Sequence, residues 1–561
     1  PGATVQVKGD KIAELNTTNP LQAMQGQTPG VNITSISGQP GESLKVSIRG
    51  LGTIGNAEPL YLIDGVRGDI STPNPADIES IDILKDAASA AIYGAQAANG
   101  VVLVTTKNGK EGKAVVSFDG YFGVQNVAKE VNLLNTEQYM MIMDESHRNS
   151  TGSGYNWSGY KSIYDANGNL YDVDWLDKMF EDNAQMQSYT LGITGGSTVS
   201  QYAISLGYMS QEGIVGGKDV SNFSRYNFRI NSEHKLFKNL LKVGEQVSFV
   251  YRDKTGVGVG GQYDNSLRGA YEIAPFVPIY SDNNIYDMPY NDTSNSDWNQ
   301  ESGNPYGLMM MRHNQNKNVF FSGNAYAELQ PIKNLKIRTV FGANYSTNEY
   351  RNFNPIYQFG STSRNTSVTQ NMQHVLELTW TNTATYDWKV NDHAFNALIG
   401  MESYQYNGTY LSGSNSSLKE GFDDWEHAYI SNGTASSTAS GLGVSGYPLD
   451  ENRTVSYFVR FGWNWKETYM LNATVRADGS SKFARGHRYG YFPSISAGWI
   501  MTNEKFMEST RSWLDYFKLR VSWGQVGNQN IDNYQYLAPI TSQYIYYYFG
   551  NSHQNSSTEA A

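Results

Sequence analysis

The sequence predicts a membrane all-β protein: a large antiparallel transmembrane β-barrel over residues 113–561, preceded by a small mixed α+β domain over 1–112. Three observations carry this: strands with one apolar face, connections that alternate long and short, and a different grammar in the first hundred residues. Tyr202, Ile204, Leu206 and Tyr208 share one strand face, while Gln201, Ala203, Ser205 and Gly207 share the other, the period of two expected of a strand with one apolar side. The same alternation recurs at Tyr226-Phe228-Ile230 against Arg225-Asn227-Arg229, at Val455-Tyr457-Val459-Phe461-Trp463 against Ser456-Arg460-Gly462, and at Phe517-Leu519-Val521-Trp523 against Lys518-Arg520-Ser522. In a barrel the polar and basic residues face inward.

Strands are expected near 115–125, 186–195, 199–211, 224–234, 240–251, 319–330, 335–347, 372–387, 393–405, 453–465, 468–477, 493–501 and 516–526, with a further one beginning near Tyr536. Connections at 195–198, 235–239, 331–334, 388–392 and 466–467 are short. Those at 126–185, 252–318, 348–371, 406–452 and 478–492 are long, and 212–222 is intermediate. Long and short alternate without a break, so every long loop lands on one rim, as in outer-membrane barrels. A soluble sandwich has no reason to obey that parity.

Composition agrees. Of 561 residues 39% are hydrophobic, 13% aromatic and only 17% charged, against roughly 25% charged in ordinary globular proteins. With 40 Tyr, 55 Gly and a mean hydropathy of −0.50, no run of about 18 apolar residues exists to make a membrane helix. A net charge of −11 and a pI near 5.3 lack the basic stripe that phosphate backbones require, so nucleic acid is not an expected partner. The absence of cysteine removes disulfides and thiolate metal sites. The chain starts at Pro1-Gly2 with no basic and apolar leader, so any secretion signal is expected to have been removed.

In the first domain, Asn19 is a helix N-cap with Pro20 in the first turn and Gly26 closing the helix. Val31-Asn32-Ile33, Leu44 to Arg49 and Leu60 to Ile63 read as short strands broken by Gly50, Gly52, Gly55 and Gly65. Asp86 caps a helix over Ala87 to Tyr93, which Gly94 ends before the buried-type strand Val101 to Val104.

Catalytic patterns are sparse. Gly256-Val257-Gly258-Val259-Gly260-Gly261 fits G-x-G-x-x-G but reads as a polar loop outside any βαβ unit. The eight His residues form no H-E-x-x-H pair, and no G-x-S-x-G element is present. No enzyme and no cofactor are expected. Asp172-Val173-Asp174 and Asp423-Asp424 are the acidic pairs that could join a loop-bound calcium site, although solvated loop carboxylates are the commoner explanation. The loops carry Tyr155, Trp157, Tyr160, Trp175, Tyr263, Tyr280, Tyr286 and Tyr290. Of these Trp157, Trp175, Tyr263 and Tyr286 are the candidates for ligand contact, by stacking on sugars or gripping a peptide, with loop packing and interfacial girdles as the other readings.

Val46-Ser47-Ile48-Arg49-Gly50, Pro59-Leu60-Tyr61-Leu62-Ile63-Asp64-Gly65-Val66, Ile78 to Gly94 with its Lys85-Asp86-Ala87 step, and Ala98-Asn99-Gly100-Val101 closely resemble the plug of TonB-dependent outer-membrane transporters. The Asp-Gly step and the Lys-Asp-Ala step make the resemblance more narrowly SusC-like. Ala477 to Phe483, Tyr489 to Ser494 and Leu519 to Gln529 resemble barrel segments of that subfamily.

The resemblance implies a multi-pass protein of a Gram-negative outer membrane, with a 22-stranded barrel in contact with lipid and the plug inside its lumen. It also implies a SusD-like surface lipoprotein as lid, often in a two-plus-two assembly, and energy from TonB. The implied activity is import of oligosaccharides or oligopeptides, with a scaffold role in an envelope assembly or secretion complex as the alternative. The loop aromatics lean the expectation slightly toward glycan. Arg49, Gly50, Asp64, Gly65, Lys85, Asp86, Tyr93, Gly94, Asn99 and Gly100 are the implied plug signature, with Arg49 anchoring the plug to the wall. The plug is expected to meet the inward face set by Arg225, Arg229 and Arg460. With 13 or 14 strands against 22, no TonB box before the plug and a polar ending at Asn555 to Ala561, the chain is expected to lack the C-terminal part of the barrel.

Overall fold

A computed structural model describes residues 4–15, 17–50, 53, 56–159, 163–259, 265–281, 284–289, 304–359 and 362–537, with short segments at 540–541, 545–549, 552–556 and 559–560. The first domain is a five-stranded sheet of β1 (Thr4–Lys8), β4 (Leu60–Ile63), β5 (Val66–Arg67), β6 (Ile78–Leu84) and β7 (Val101–Thr106), in the order β1-β6-β7-β4-β5. A separate hairpin pairs β2 (Val31–Ser35) with β3 (Leu44–Ile48). Helices α1 (Gly9–Ala13) and α2 (Pro20–Met24) cover the sheet, the second capped by the Asn19 side chain accepting from the Leu21 N–H at 3.0 Å. Ile12, Leu21, Met24, Ile78, Ile81, Ile83, Val102 and Val104 bury together as the core.

The second region is one antiparallel sheet. Its strands are β8 (Gly112–Gln125), β9 (Ala184–Gly196), β10 (Ser200–Glu212), β11 (Asn222–Leu236) and β12 (Leu241–Thr255). After a loop hairpin of β13 (Tyr280–Ser281) and β14 (Asn284–Pro289) come β15 (His313–Ile332) and β16 (Leu335–Asn354). A second small hairpin, β17 (Tyr357–Phe359) with β18 (Thr362–Arg364), precedes β19 (Ser367–Val390) and β20 (His393–Ser416). The sheet ends with β21 (Gly443–Pro448), β22 (Asn452–Trp465), β23 (Tyr469–Ser480), β24 (Tyr489–Ile500) and β25 (Lys518–Gly524). Each main strand pairs with its sequence neighbour in the sheet, β21 adds to β20, and β8 and β25 are the two edges among the described residues. All thirteen expected strands are present, and the boundary between the two regions falls between Thr106 and Gly112.

The inward and outward faces follow the predicted parity. On β11, Arg225, Asn227, Arg229 and Asn231 are buried, whereas Tyr226 and Phe228 are exposed on the other face. Aromatics ring both rims of that outer face. Phe118, Tyr189, Tyr208, Tyr226 and Tyr251 follow one another across five strands at 6.5, 6.4, 5.0 and 6.2 Å. At the short-turn rim Tyr386, Trp388 and Phe395 stack at 5.5 and 5.1 Å, and Trp465, Tyr469 and Trp499 at 5.4 and 6.0 Å. Tyr345, opposite Leu376 near the other rim, lies twelve residues from Trp388, about 40 Å along a strand and about 28 Å along the normal at a tilt of about 45°. That matches the apolar band of about 25 Å between the girdles of an outer-membrane barrel. Among the described residues no helix is long and apolar enough to cross a membrane.

Three expectations need correction. Strands β15, β16, β19 and β20 run well past the predicted ends, so much of 348–371 and 406–416 is ladder. Apolar alternation is required only where lipid touches the strand, so it stops at the membrane surface while backbone pairing continues into water. The long connections also contain helices: α4 (Thr136–Thr151), α5 (Trp175–Met179), α6 (Gly217–Val220), α7 (Ser266–Glu272) and α8 (Pro305–Met311). Asn135 and Gln138 form a capping box at the start of α4, and Gly152 at φ 85° ends it. Finally, among the described residues no strand of the main sheet begins near Tyr536: Tyr534 to Leu537 is a turn. Among the described residues, the segments β26 (Ile540–Thr541), β27 (Ile545–Phe549), β28 (Ser552–Ser556) and β29 (Glu559–Ala560) pair with one another, β26 with β29 and β27 with β28.

The lipid-facing assignment predicts that Ile399→Arg, at a position 60% exposed on the outer face of β20, lowers barrel stability in bilayers by about 2–4 kcal/mol if it sits near the midplane. Urea unfolding in lipid vesicles reads this, and an unchanged midpoint would place that face outside the membrane.

Candidate functional site

The site is built where the first domain fills the lumen as a plug. Asp64 and Gly65 join β4 to β5 with φ of 50° and 87°, the two left-handed positions that a tight hairpin turn needs and that Asp-Gly supplies. The Asp64 carboxylate accepts from the Thr106 N–H at 2.8 Å and from the Thr106 hydroxyl, tying the hairpin to β7. Burial raises the Asp64 carboxyl above its ordinary value, with the Thr106 bonds and the Arg229 charge opposing. Asn99 donates to the Asn56 and Glu58 carbonyls at 3.1 and 3.3 Å. Gly100 at φ 90° backs onto Ile48, where a Cβ would lie 2.7 Å from Cδ1. Lys85 donates to the Pro29 carbonyl, and burial with the nearby Arg49 charge lowers its pKa. Gly50 takes φ 87° in the turn after β3.

The wall holds the plug through donors aimed at plug carbonyls and hydroxyls. Arg225 Nη1 donates to the Thr18 carbonyl at 2.7 Å and Asn227 to the Thr72 carbonyl at 3.1 Å. Arg229 donates to the Thr106 hydroxyl and the Lys107 carbonyl, joined there by Asn231 at 3.2 Å. Arg252 reaches Ser71 at 2.9 Å, and Lys254 pairs with Glu42 at 2.8 Å. Burial alone would raise the Glu42 carboxyl, but the Lys254 bond and charge with further hydrogen bonds carry it below its usual value.

A second fastening lies on β23. Asp86 caps a helix as expected, accepting from the Ser89 N–H at 2.8 Å, but this α3 (Ala87–Ala90) is short and passes into a tighter 3₁₀ segment, Ala91–Gln96. The cause is Gly94, at φ 57° and ψ −124°, which lies inside the turn instead of ending it. There the Ala95 N–H donates to Asp478 Oδ2 at 2.6 Å, and Arg476 donates to the Ile92 carbonyl. Arg476 also binds Asp478 at 2.6 Å and Glu402 at 3.0 Å. A Cβ on Gly94 would fall 1.9 Å from Asp478 Oδ2, so only glycine fits. Tyr93 lies beside this cluster, and burial raises its phenol first, with Glu402 adding to it.

Arg49 is exposed, at φ 59°, with its N–H on the Gly30 carbonyl at 2.9 Å. No contact of its side chain with the wall is found among the described residues, and the arginines that fasten the plug belong to the wall, Arg225, Arg229, Arg252 and Arg476. Of the inward basic residues, Arg225 and Arg229 meet the plug as expected. Arg460 remains exposed and acts on Tyr93 through its charge. The Arg-x-Asp step at 476–478 carries its own signal, since both side chains share the inward parity of β23.

Between plug and wall, on the long-loop side, lies a cavity of about 1160 Å³, larger than the roughly 300–1,000 Å³ of ordinary small-molecule pockets. The plug contributes Glu58, Tyr61, Arg67 and Asp69 to its lining, and the wall Arg252, Glu377, Tyr404, Tyr406 and Lys482. Arg67 stacks 3.9 Å over the Tyr404 ring, while its Nη2 is buried with no hydrogen-bond partner. Opposite charges and phenols are therefore interleaved across a lining long enough for an oligomer.

The loop aromatics are placed differently from expectation. Trp175 is 1% exposed in a core with Leu176, Met179 and Phe276. Trp157 packs against Phe276 at 5.8 Å and donates to Asp144 at 3.0 Å. Both rings hold the loop helices together, because α4, α5, α7 and α8 pack around an apolar core that claims them. Tyr160, Tyr263 and Tyr290 lie outside the described residues; Tyr286 falls on β14, its side chain outside the description. The Gly256–Gly258 stretch leads away from β12 against plug residue Gln39, whose side chain accepts from the Val257 N–H at 2.8 Å. Asp172 accepts from the Thr136 N–H, Asp174 caps α5, and Asp424 pairs with His427. Among the described residues no group of three or more His, Cys, Asp or Glu is disposed to hold a metal ion.

Arg476→Met should free the Tyr93 turn, because it strands the buried Asp478 charge, with half-buried Glu402 beside it, at a cost of about 3–5 kcal/mol. Hydrogen exchange of the 91–97 amides is expected to rise in the membrane-embedded protein, and unchanged protection would show that this cluster does not hold the plug.

Residues 1–101 match the TonB-dependent receptor plug domain. The whole chain is 29% identical to the TonB-dependent receptor SusC of Bacteroides thetaiotaomicron, covering 100% of this chain and 55% of that one. It is also 29% identical to TonB-dependent receptor P3 of Formosa agariphila, over 97% of this chain and 51% of the relative. Among solved structures, the RagAB peptide importer in its open-open state superposes with a TM-score of 0.82 at 25% identity, covering 99% of this chain and 62% of the other. The chain spans about half the length of the curated relatives it matches. A plug match at the N-terminus, whole-chain similarity to SusC and a barrel sheet with two aromatic rims make this chain similar to SusC-like TonB-dependent receptors, which are β-barrels of the outer membrane.

Proposed function

We propose that the protein takes part in TonB-dependent import of oligosaccharides or oligopeptides across the outer membrane, and that its cargo is oligopeptide. The observation that carries this is the cavity above the plug, whose size suits an oligomer and whose lining alternates Arg67, Arg252 and Lys482 with Glu42, Glu58 and Glu377. A neutral glycan would be gripped chiefly by ring stacking, whereas peptide termini and side chains need charge of both signs. The leaning toward glycan rested on loop aromatics, and the burial of Trp175 and packing of Trp157 take these two rings out of that basis. The RagAB structure is that of a peptide importer, which supports the same reading. It requires a SusD-like lipoprotein to close the mouth, in a dimeric two-plus-two assembly, and TonB to move the plug from the periplasm.

Mass spectrometry of ligand released from the full-length protein, purified with its lipoprotein partner, is expected to find oligopeptides. Replacing Arg67 and Lys482 together by Ala should reduce the amount retained by about tenfold, the loss of roughly 1.4 kcal/mol. Oligosaccharide alone would overturn the cargo assignment. No bound oligomer, with disturbed display of surface proteins on deletion, would favour the scaffold role.

A further inference from the structure

The plug is fastened unevenly. Its described polar anchors cluster on β9 to β12 and again on β23, where Arg476 and Asp478 hold the Gly94 turn. Across β15 to β22, among the described residues, the plug meets the wall through the small element β5, with Tyr93 of the Gly94 turn beside Glu402 and Arg460. At β5 Asn344 donates to the Arg67 carbonyl and Arg67 covers the Tyr404 ring at 3.9 Å. Val66 fills the space over Gly342, where a Cβ would lie 2.6 Å from its Cγ1. This element is a two-residue edge strand, paired with β4 only through Leu62 with Arg67 and Ile63 with Val66. Short edge pairs open at the least cost.

The same sector borders space on both sides of that contact. Above it lies the cavity, lined here by Asn344, Glu377 and Tyr404. At the short-turn rim lies a second groove of about 720 Å³, where Asn334, Asn396, Asn464 and Asn472 line it beside Asp387 and Lys389 and the apolar Trp388, Phe395, Trp463 and Met470, with no plug residue. Register places its asparagines in the lumen: Asn396 has the parity of Tyr404 on β20, and it lies level with Gly462 and thence Asn472. Its four side-chain amides offer donors and acceptors of their own beside one residue of each charge, Asp387 and Lys389, which suits a chain passing through more than one being held.

We propose that cargo crosses along the β15–β22 wall, from the cavity to this asparagine groove, and that β5 with Arg67 is the gate between them. The proposal rests on the import reading. Cargo and gate are coupled through Arg67: its unpartnered Nη2 can bind a carboxylate or carbonyl in the cavity, which competes with its seat on Tyr404. The β9–β12 side then stays fastened while β5 swings.

The absence of cysteine makes the test direct. In the full-length protein in energised cells, Asn472→Cys is labelled from outside by a maleimide-bearing oligopeptide too large for porins. Val66→Cys with Gly342→Cys bridges the gate, since a Gly342 Cβ lies 3.4 Å from Val66 Cβ, within reach of a disulfide. Asn74→Cys with Gly207→Cys tethers the fastened side. Oxidising the first pair should abolish labelling of Asn472→Cys, with recovery on reduction, while oxidising the second leaves it unchanged. The single variant Gly342→Ala, which crowds Val66, should raise labelling even without TonB. Blockage by the second pair alone, or by neither, would overturn the path, as would no effect of Gly342→Ala. If the untethered protein shows no energy-dependent labelling, the import reading falls and the path with it; if labelling persists but ignores the gate tether, only the path falls.

Discussion

A folded domain inside a barrel must end its loops and sheet edges on something other than bulk water, because an unpaired buried carbonyl costs about as much as a lost hydrogen bond. Here the wall of the lumen supplies that something. The Arg225, Asn227, Arg229 and Asn231 side chains alternate with the lipid-facing Tyr226, Phe228 and Ile230 on one strand, so a single period-two pattern solves two problems. One face satisfies the bilayer and the other satisfies the plug. The contact Asp64 to Thr106 to Arg229 shows the economy of it, since the residue that closes the plug hairpin is coupled to the residue that grips the plug.

The plug is therefore firmly seated on one side and lightly seated on another. Guanidinium and amide donors bind the β9–β12 side, a compact charge cluster holds the Gly94 turn on β23, and a two-residue strand covers the wall between. The cavity opens over that lightly covered wall, and the loop helices built around Trp175 and Phe276 form a folded rim on the same side of the membrane as the long connections. Strength and weakness are both placed by the side chains that point inward.

Much of this was legible from residues alone. Every main strand and its facing followed from period two and from the parity of connection lengths, because lipid imposes those patterns locally. Asn19, Asp86 and the Asp64-Gly65 turn were legible for the same reason: caps and turns are decided within four residues. The Gly94 kink was not, because it depends on Asp478, which lies 384 positions away and comes close only through the barrel. Arg49 misled, since a conspicuous basic residue in a plug motif does not say whether wall or plug supplies the donors. Trp157 and Trp175 misled similarly: aromatics in a polar loop look exposed until the loop folds its own core. The extensions of β19 and β20 were hidden because water, unlike lipid, leaves no hydropathic mark on a paired strand.

The central claim is that a fastened plug forms the floor of a cargo cavity in a membrane barrel. A cryo-electron microscopy map of the full-length protein from native membranes tests it most directly. The account predicts the plug seated against β9–β12 and elongated density between Tyr61, Arg67, Tyr404 and Lys482. A lumen without the plug, or a cavity filled by the protein's own chain, would contradict it.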